Sequence, residues 1–100
     1  SCWLELGINY LLMGDLYKEK EQYVESEKYY EKAFDILGTI YMMQGRIRGV
    51  NIREIYNKIK TVCKLQNKTS KSYDTKYLKY TAKEDNFFDN FFSFFTSEFT

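Results

Sequence analysis

Apolar residues recur at helical spacing through most of this chain, beginning with its first dozen residues. Residues 2–13 predict a first helix that is apolar on two sides. One side carries Trp3, Leu6, Gly7 and Tyr10, and the other carries Leu4, Ile8, Leu11 and Leu12. A helix with apolar residues all round is normally covered on both sides, so we expect two neighbours for it. Gly14 and Asp15 mark its predicted end.

A second helix is predicted after the charged run at residues 18–21, which we interpret as a solvated face or loop. One face of it carries Tyr23, Ser26, Tyr30 and Ala33. No helix breaker follows before Gly38, which favours one long helix over residues 22–44. The alternative is that Phe34 opens a second repeat, because residues 34–45 reproduce the spacing of residues 3–14 at an offset of 31.

The third predicted helix has the clearest amphipathic pattern in the chain. Asn51 is its candidate N-cap, and Glu54 stands at the capping-box position. The apolar stripe consists of Ile52, Ile55, Tyr56, Ile59, Val62 and Cys63. The opposite face carries Arg53, Lys58, Lys60 and Lys64. This helix is therefore predicted to have one apolar face and one basic face.

The C-terminal third is less regular. Residues 67–86 are polar and basic and predict a linker or an irregular extension, in which Tyr73, Tyr77 and Tyr80 mark at most a turn or two of weak helix. Residues 87–100 predict a Phe-rich amphipathic segment, capped by Asp85 or Asn86. The Phe side chains that share one helical face are Phe88, Phe91, Phe92, Phe95 and Phe99. The predicted fold is all-α, with three or four helices, a helical domain at 1–66 and these two C-terminal segments.

The first 45 residues resemble a tetratricopeptide (TPR) repeat. The opening motif W-x2-L-G-x2-Y is present as Trp3, Leu6, Gly7 and Tyr10. The run from Tyr23 to Phe34 is similar to the second helix of such a repeat, in which a small residue, an aromatic and an Ala pack against the first helix. The chain departs from the family in two ways. The gap between the two helices is about seven residues longer than the family standard, and no Pro or Gly makes the usual turn after Ala33.

The resemblance implies a protein–protein interaction module, acting as a scaffold or as a subunit of a larger assembly. In that family the first helix of each repeat lines the binding groove, which implies a partner-binding set here of Leu4, Glu5, Ile8, Leu11 and Leu12. The family's clamp for chaperone C-terminal carboxylates uses Lys and Asn at such places, and Leu and Ile replace them in this chain. The groove is therefore expected to prefer apolar or aromatic ligand residues.

The Phe-rich segment adds Phe88, Phe91, Phe92 and Phe95 to the predicted partner-binding residues. Seven Phe side chains within thirteen residues exceed what a monomer normally leaves in water. Three interpretations remain open: the segment caps its own domain, enters a partner or a second copy, or touches a membrane surface. The acidic neighbours Glu84, Asp85 and Asp89 argue against the membrane, since interfacial helices usually carry Lys or Arg beside the apolar face.

Charge is distributed unevenly although the net charge is only +1. Residues 1–45 carry 4 Lys or Arg against 8 Asp or Glu, whereas residues 46–83 carry 11 against 2. Residues 84–100 carry 4 acidic residues and no basic one. The oppositely charged regions are expected to attract each other within one molecule. The basic and tyrosine-rich residues 46–83 also support an alternative function, contact with RNA as a subunit of a ribonucleoprotein.

We expect no enzymatic activity, cofactor or metal. The chain has no His, no Gly-rich phosphate loop and no metal-ligand spacing. Its two Cys residues are too few for a disulfide framework and predict reduced thiols in an intracellular, cytoplasmic protein. No apolar run approaches the roughly 18 residues that span a bilayer, and no signal peptide is visible.

Overall fold

The structure is a computed structural model that describes residues 2–82, and these form four α-helices. The helices are α1 (Cys2–Glu19), α2 (Tyr23–Gln44), α3 (Ile52–Leu65) and α4 (Lys71–Tyr80). The prediction of an all-α chain is confirmed for this part of the sequence. The predictions for the Phe-rich segment at 87–100 concern residues outside those described.

Helix α1 is longer than the sequence predicted, because Gly14 does not end it. Gly14 is buried within the helix, and a Cβ atom there would collide with the ring of Tyr30 on α2. Its carbonyl oxygen also accepts a hydrogen bond from the Ser26 hydroxyl at 2.7 Å. The glycine therefore marks a close helix crossing, and the connection to α2 shortens to residues 20–22. The long gap expected between the two helices is consequently absent.

Helix α2 is a single helix of 22 residues, as the lack of a breaker predicted. Gly38 lies inside it and is covered by the ring of Tyr80. The helix ends at Gly45, whose backbone has a φ of 86°, a value that glycine adopts without steric penalty. The break considered near Phe34 does not occur, because Phe34 is fully buried in the middle of the helix.

Helices α1 and α2 form an antiparallel pair whose contact line differs from the predicted one. A Cβ atom on Gly7 would lie 2.7 Å from Leu37 Cδ2, and Gly14 meets Tyr30 one heptad further along. The residues of α1 on this line are Leu4, Gly7, Leu11 and Gly14. The sequence pattern placed Trp3 and Tyr10 on the same side of the helix as Gly7. Gly7 is indeed packed, but the centre of the contact lies one residue further along the helix.

Helix α3 follows the prediction closely. The side chain of Asn51 accepts a hydrogen bond from the Glu54 backbone N–H at 3.2 Å, which makes it the N-cap. The predicted stripe is buried except for Tyr56, which is half-buried. The rings of Tyr56 and Phe34 stack with centroids 6.4 Å apart, and Gln66 reaches Glu27 at 2.9 Å. Helix α3 therefore runs antiparallel to α2.

Residues 71–80 form helix α4, where the sequence predicted a polar linker or extension. Its three tyrosines, Tyr73, Tyr77 and Tyr80, are all buried in the core. Tyr73 hydrogen-bonds Glu27 near the start of α2, and Tyr80 covers Gly38 further along it, so α4 runs parallel to α2. The linker interpretation was wrong here because tertiary contacts, rather than an apolar stripe of aliphatic residues, hold this helix in place.

The charged halves of the chain meet across these helices, as expected from the sequence. Lys58 on α3 pairs with Asp15 on α1 at 2.8 Å. Lys76 on α4 pairs with Asp35 on α2, also at 2.8 Å. The described ion pairs thus join acidic residues of α1 and α2 to lysines of the following helices or turn. Part of the basic excess is therefore used within the fold.

Candidate interaction surfaces

The predicted partner-binding residues of α1 are divided between the core and the surface. Leu4 and Leu11 are half-buried against the core, and Ile8 is half-buried as well. Glu5 and Leu12 are exposed, and Leu12 keeps 59 % of its surface in contact with water. The predicted groove face therefore contributes only part of its apolar area to the surface. Phe88, Phe91, Phe92 and Phe95 lie outside the described residues.

An outer patch on α1 remains available around Leu12. Leu16 lies one helical turn further along and is 49 % exposed. Ile8 and Glu5 precede Leu12 on the same side of the helix. We call Glu5, Ile8, Leu12 and Leu16 the outer patch. Leu16 was missed in the sequence, because Gly14 was taken as the end of the helix.

A second exposed surface on α1 was also missed. Its residues follow a regular three-four spacing, and all of them are exposed or half-buried: Trp3, Leu6, Tyr10, Met13 and Tyr17. Trp3 exposes 66 % of its surface. The sequence pattern placed Trp3, Leu6 and Tyr10 on the same side of α1 as Gly7, but Gly7 alone of these four is buried against α2. The three-four spacing was visible in the sequence, but the parallel stripe through Gly7 and Gly14 has the same spacing.

Tyrosine stacking extends this second surface onto α2. The ring of Tyr29 stacks with Tyr17 at 5.3 Å between centroids and with Tyr10 at 6.0 Å. The Lys32 ammonium lies 5.3 Å from the centroid of the Tyr10 ring and 5.7 Å from that of Tyr29. Lys20 lies 5.9 Å from the Tyr17 centroid. We call the α1 stripe together with Tyr29 the Trp–Tyr face; it is aromatic and is flanked by lysines.

A buried carboxylate joins three helices and the turn before α4. Glu27 on α2 accepts hydrogen bonds from the Tyr73 hydroxyl at 2.6 Å and from the Gln66 amide at 2.9 Å. Lys68 completes the group with an ion pair of 2.8 Å. Burial alone would raise the pKa of Glu27, but the hydrogen bonds from its three partners outweigh burial and lower the pKa below its usual value of 4.5. The described polar contacts of this carboxylate connect α2 to the end of α3, to the following turn and to α4.

Three further tyrosines donate to carboxylates on neighbouring helices. Tyr30 donates to Asp15 on α1, Tyr56 to Asp74 on α4, and Tyr80 to Asp35 on α2. Burial, reinforced by the negative partners, raises the pKa of all three phenols above the ordinary value of 10.0. These three phenols therefore stay protonated at neutral pH, and their hydrogen bonds link α2 to α1, α3 to α4 and α4 to α2.

A basic depression lies at the C-terminal end of α3 and the turn that follows. It is an open hollow of about 780 Å³. Three lysines and several hydroxyl and amide groups line it: Asn57, Lys60, Thr61, Lys64, Asn67, Lys68, Thr69 and Ser70, together with Cys63. Lys68 is occupied by Glu27, and Lys60 lies 4.9 Å from the centroid of the Tyr56 ring. This region corresponds to part of the predicted basic segment 46–83.

The two cysteines do not form a disulfide. Cys2 is exposed, whereas Cys63 is buried, and burial raises the pKa of the Cys63 thiol. Within residues 2–82 no three His, Cys, Asp or Glu side chains are grouped as metal ligands would be. Over the same residues, no helix has both the length and the apolar character that crossing a bilayer requires.

Comparisons with models of protein families, with curated proteins and with solved structures found no match to this chain. Its function must therefore be inferred from the chemistry of its own surfaces.

Proposed function

We propose that this chain is a protein–protein interaction module of TPR type, which binds an apolar segment of a partner through the outer patch of α1. The observation that supports the proposal is the pair of exposed leucines at the centre of the outer patch. Leu12 and Leu16 expose 59 % and 49 % of their surface and lie one helical turn apart. Neighbouring exposed apolar side chains on one helix face are typical of a binding surface.

The outer patch suits an amphipathic helix as its ligand. Leu12 and Leu16 lie one turn apart and can receive apolar residues at i and i+4 of a partner helix. Glu5 is exposed at the N-terminal edge of the patch and can pair with a Lys or Arg of the partner. The absence of Lys and Asn at these places argues against a carboxylate clamp. Affinity would therefore depend on buried apolar side chains rather than on ion pairs.

Selection of amphipathic helical peptides from a displayed library would test this proposal. We expect selected peptides to carry Leu or Phe at i and i+4 and to bind with an affinity that changes little with salt. The double variant Leu12→Ser with Leu16→Ser should abolish this binding. The matched control is Leu65→Ser, which changes an exposed leucine on α3. The proposal would be contradicted if the selected peptides bound the double variant as tightly as they bind the control and the unchanged chain.

RNA contact through residues 46–83 is a second candidate, and the basic depression supports it. Lys60 and Lys64 lie one turn apart on the exposed side of α3, and Asn57 precedes them on the same side. Ammonium, amide and hydroxyl groups are the usual donors to phosphate oxygens. The same depression also provides hydroxyls from Thr61 and Thr69. Such a surface would bind the nucleic-acid backbone without regard to sequence.

A titration with single-stranded oligouridylate would test the second candidate. Binding through phosphate contacts should weaken steeply between about 50 and 200 mM salt. The double variant Lys60→Gln with Lys64→Gln should reduce both the affinity and the salt slope. The control Lys18→Gln with Lys20→Gln removes two lysines near the end of α1 and should leave binding unchanged. This candidate would be ruled out if no binding were found at low salt, or if the Lys60→Gln, Lys64→Gln variant bound as tightly as the unchanged chain.

A further inference from the structure

The Trp–Tyr face has no covering element among residues 2–82. Helices α3 and α4 pack on other sides of α2, where Tyr56 meets Phe34 and Tyr80 meets Gly38. We propose that residues 88–99 of the same chain dock on the Trp–Tyr face as a fifth helix. This inference is independent of the proposed partner binding, because it uses a different side of α1 from the outer patch.

The spacing of apolar residues matches between the two surfaces. The face on α1 follows steps of three, four, three and four from Trp3 to Tyr17. The Phe side chains at 88, 92, 95 and 99 follow steps of four, three and four. Two helices with this spacing pack side by side along a continuous seam. The lengths also agree, since residues 88–99 would extend about 17 Å as a helix and the α1 stripe extends about 21 Å.

The last described residues lie at the end of the helix pair where the Trp–Tyr face begins. The ring of Tyr80, near the end of α4, lies on Gly38 of α2. Leu37, the residue before Gly38, meets Gly7 in the first half of α1. The end of α4 and the beginning of the Trp–Tyr face are therefore at the same end of α2. Residues 83–87 can extend about 17 Å, which is longer than the roughly 10–12 Å diameter of an α-helix such as α2.

Charge favours this face further. After Lys83 the chain carries four acidic residues and no basic one. Lys20 and Lys32 lie against the tyrosine rings of the face, and Lys28 is exposed on the same side of α2. Glu25 is the acidic residue of α2 on that side, whereas Asp15, Glu27 and Asp35 are paired with lysines of later elements. The face thus presents aromatic surface to the Phe side chains and ammonium groups to their acidic neighbours.

The basic surface of α3 is a weaker alternative for the same segment. It would attract the acidic residues, but the exposed apolar side chain on that helix is Leu65. If the segment docked on α3, its Phe side chains would stay in water because that helix offers them little apolar surface. Exposure of so many aromatic side chains is unfavourable. Docking within one chain is also favoured over docking on a second copy. A short connection gives the segment an effective concentration of about 1 mM or more near its own Trp–Tyr face.

Trp3 provides a direct probe, since it is the one tryptophan in the chain and lies on the proposed seam. In the full chain we expect Trp3 fluorescence to be blue-shifted and protected from acrylamide quenching. The double variant Phe92→Ser with Phe95→Ser should shift the emission to the red and remove the protection. The matched control Phe87→Ser with Phe94→Ser changes two Phe residues off the predicted face and should retain both signals.

The same measurements define the results that would overturn the inference. Trp3 emission typical of water in the unchanged chain would show that nothing covers the face. Equal effects of the two double variants would show that no particular helical face of the segment docks. Protection that grows with protein concentration, together with a dimer in sedimentation equilibrium, would assign the face to a second copy. The two proposals can be told apart with the outer-patch variants. If these variants lose or keep peptide binding while Trp3 stays protected from quenching, the result bears on the proposed function and leaves the docking of residues 88–99 supported.

Discussion

Gly7 and Gly14 set how closely the first two helices approach. A Cβ atom at Gly7 would lie 2.7 Å from Leu37 Cδ2, in a fully buried aliphatic side chain that no hydrogen bond holds in place. A Cβ atom at Gly14 would meet the ring of Tyr30, which is fully buried and held by its hydrogen bond to Asp15. The two positions therefore differ in how well the structure can adapt to a larger residue.

This difference leads to a prediction about substitution at the two glycines. Alanine should add about 1 kcal/mol of helix propensity at either position. We nevertheless expect Gly14→Ala to destabilise by about 1–3 kcal/mol through overpacking, and Gly7→Ala to destabilise less. Gly7→Leu should cost about 1–3 kcal/mol, since the larger side chain cannot avoid Leu37 and Ile36. Urea unfolding measures these values, with the exposed Asn9→Ala as the control.

Unchanged or increased stability of Gly14→Ala would contradict the close crossing of α1 and α2. Equal losses for Gly7→Ala and Gly14→Ala would contradict the assignment of the rigid contact to Tyr30. A change in the urea m-value would indicate a change in the unfolded or native ensemble instead.

Glu27 leads to a prediction about acid stability. Its pKa is lowered in the folded chain, so its contribution to stability is complete above the unfolded value near 4.5 and disappears as the pH falls through the lower folded value. Glu27→Gln should therefore destabilise the chain at neutral pH and reduce the loss of stability on acidification below pH 4.5. Thermal unfolding of both proteins over this pH range measures the effect. The control is Glu25→Gln, at an exposed position of α2, and its stability should vary with pH as that of the unchanged chain does. If the stability difference between Glu27→Gln and the unchanged chain were the same at every pH, the lowered pKa of Glu27 would be contradicted.

Helix α4 depends on its neighbours for its existence. With ten residues it is shorter than isolated helices that are stable in water. The Tyr77 ring stacks on Tyr56 at 4.4 Å, and Arg53 donates a hydrogen bond to the Tyr77 hydroxyl at 3.2 Å. These contacts come from α3, whereas Tyr73 and Tyr80 attach the same helix to α2.

We therefore expect Tyr77→Ala to release α4 as a unit. The loss of a buried aromatic side chain should cost about 3–5 kcal/mol, and amide hydrogens of residues 71–80 should lose protection before those of α2. Hydrogen exchange followed by residue measures this order. Thr75→Ala, at an exposed position on the same helix, should leave the protection unchanged. Protection of α4 that persists in Tyr77→Ala would show that the tyrosine stacking does not hold it.

At the scale of the whole molecule, tyrosine hydroxyls connect all four helices to acidic side chains. Four of the ten tyrosines, at positions 30, 56, 73 and 80, have pKa values raised above 10.0. A phenol that stays neutral in the folded chain but ionises in the unfolded one destabilises the fold as the pH rises above 10.0. Alkali should therefore unfold the chain cooperatively rather than titrate these four tyrosines one by one.

An ultraviolet titration of phenolate checks this expectation. The phenols of Tyr30, Tyr56, Tyr73 and Tyr80 should ionise together with the loss of helical circular dichroism. Replacing Tyr56 by Phe should remove one phenol from the step that coincides with unfolding. Ionisation of these four phenols while the helices persist would contradict their buried pairing with carboxylates.

The amino-acid sequence alone was sufficient for the local features of this protein. Helical spacing predicted α2 as one helix and α3 with its Asn51 cap, because helix propensity, capping and the absence of breakers act between residues close in the chain. The separation of charge also predicted that the acidic first half would pair with the basic middle, as Asp15 and Lys58 do.

Tertiary structure decided the features that depend on distant residues. Whether Gly14 ends or continues a helix depended on the Tyr30 ring, and whether residues 71–80 form a helix depended on Glu27 and Gly38 of α2. The side of α1 that meets α2 was ambiguous in the sequence, because two neighbouring stripes have the same three-four spacing. The stripe with Gly7 and Gly14 is packed since it lets two backbones approach, and the bulkier stripe with Trp3 and Tyr10 consequently remains on the surface.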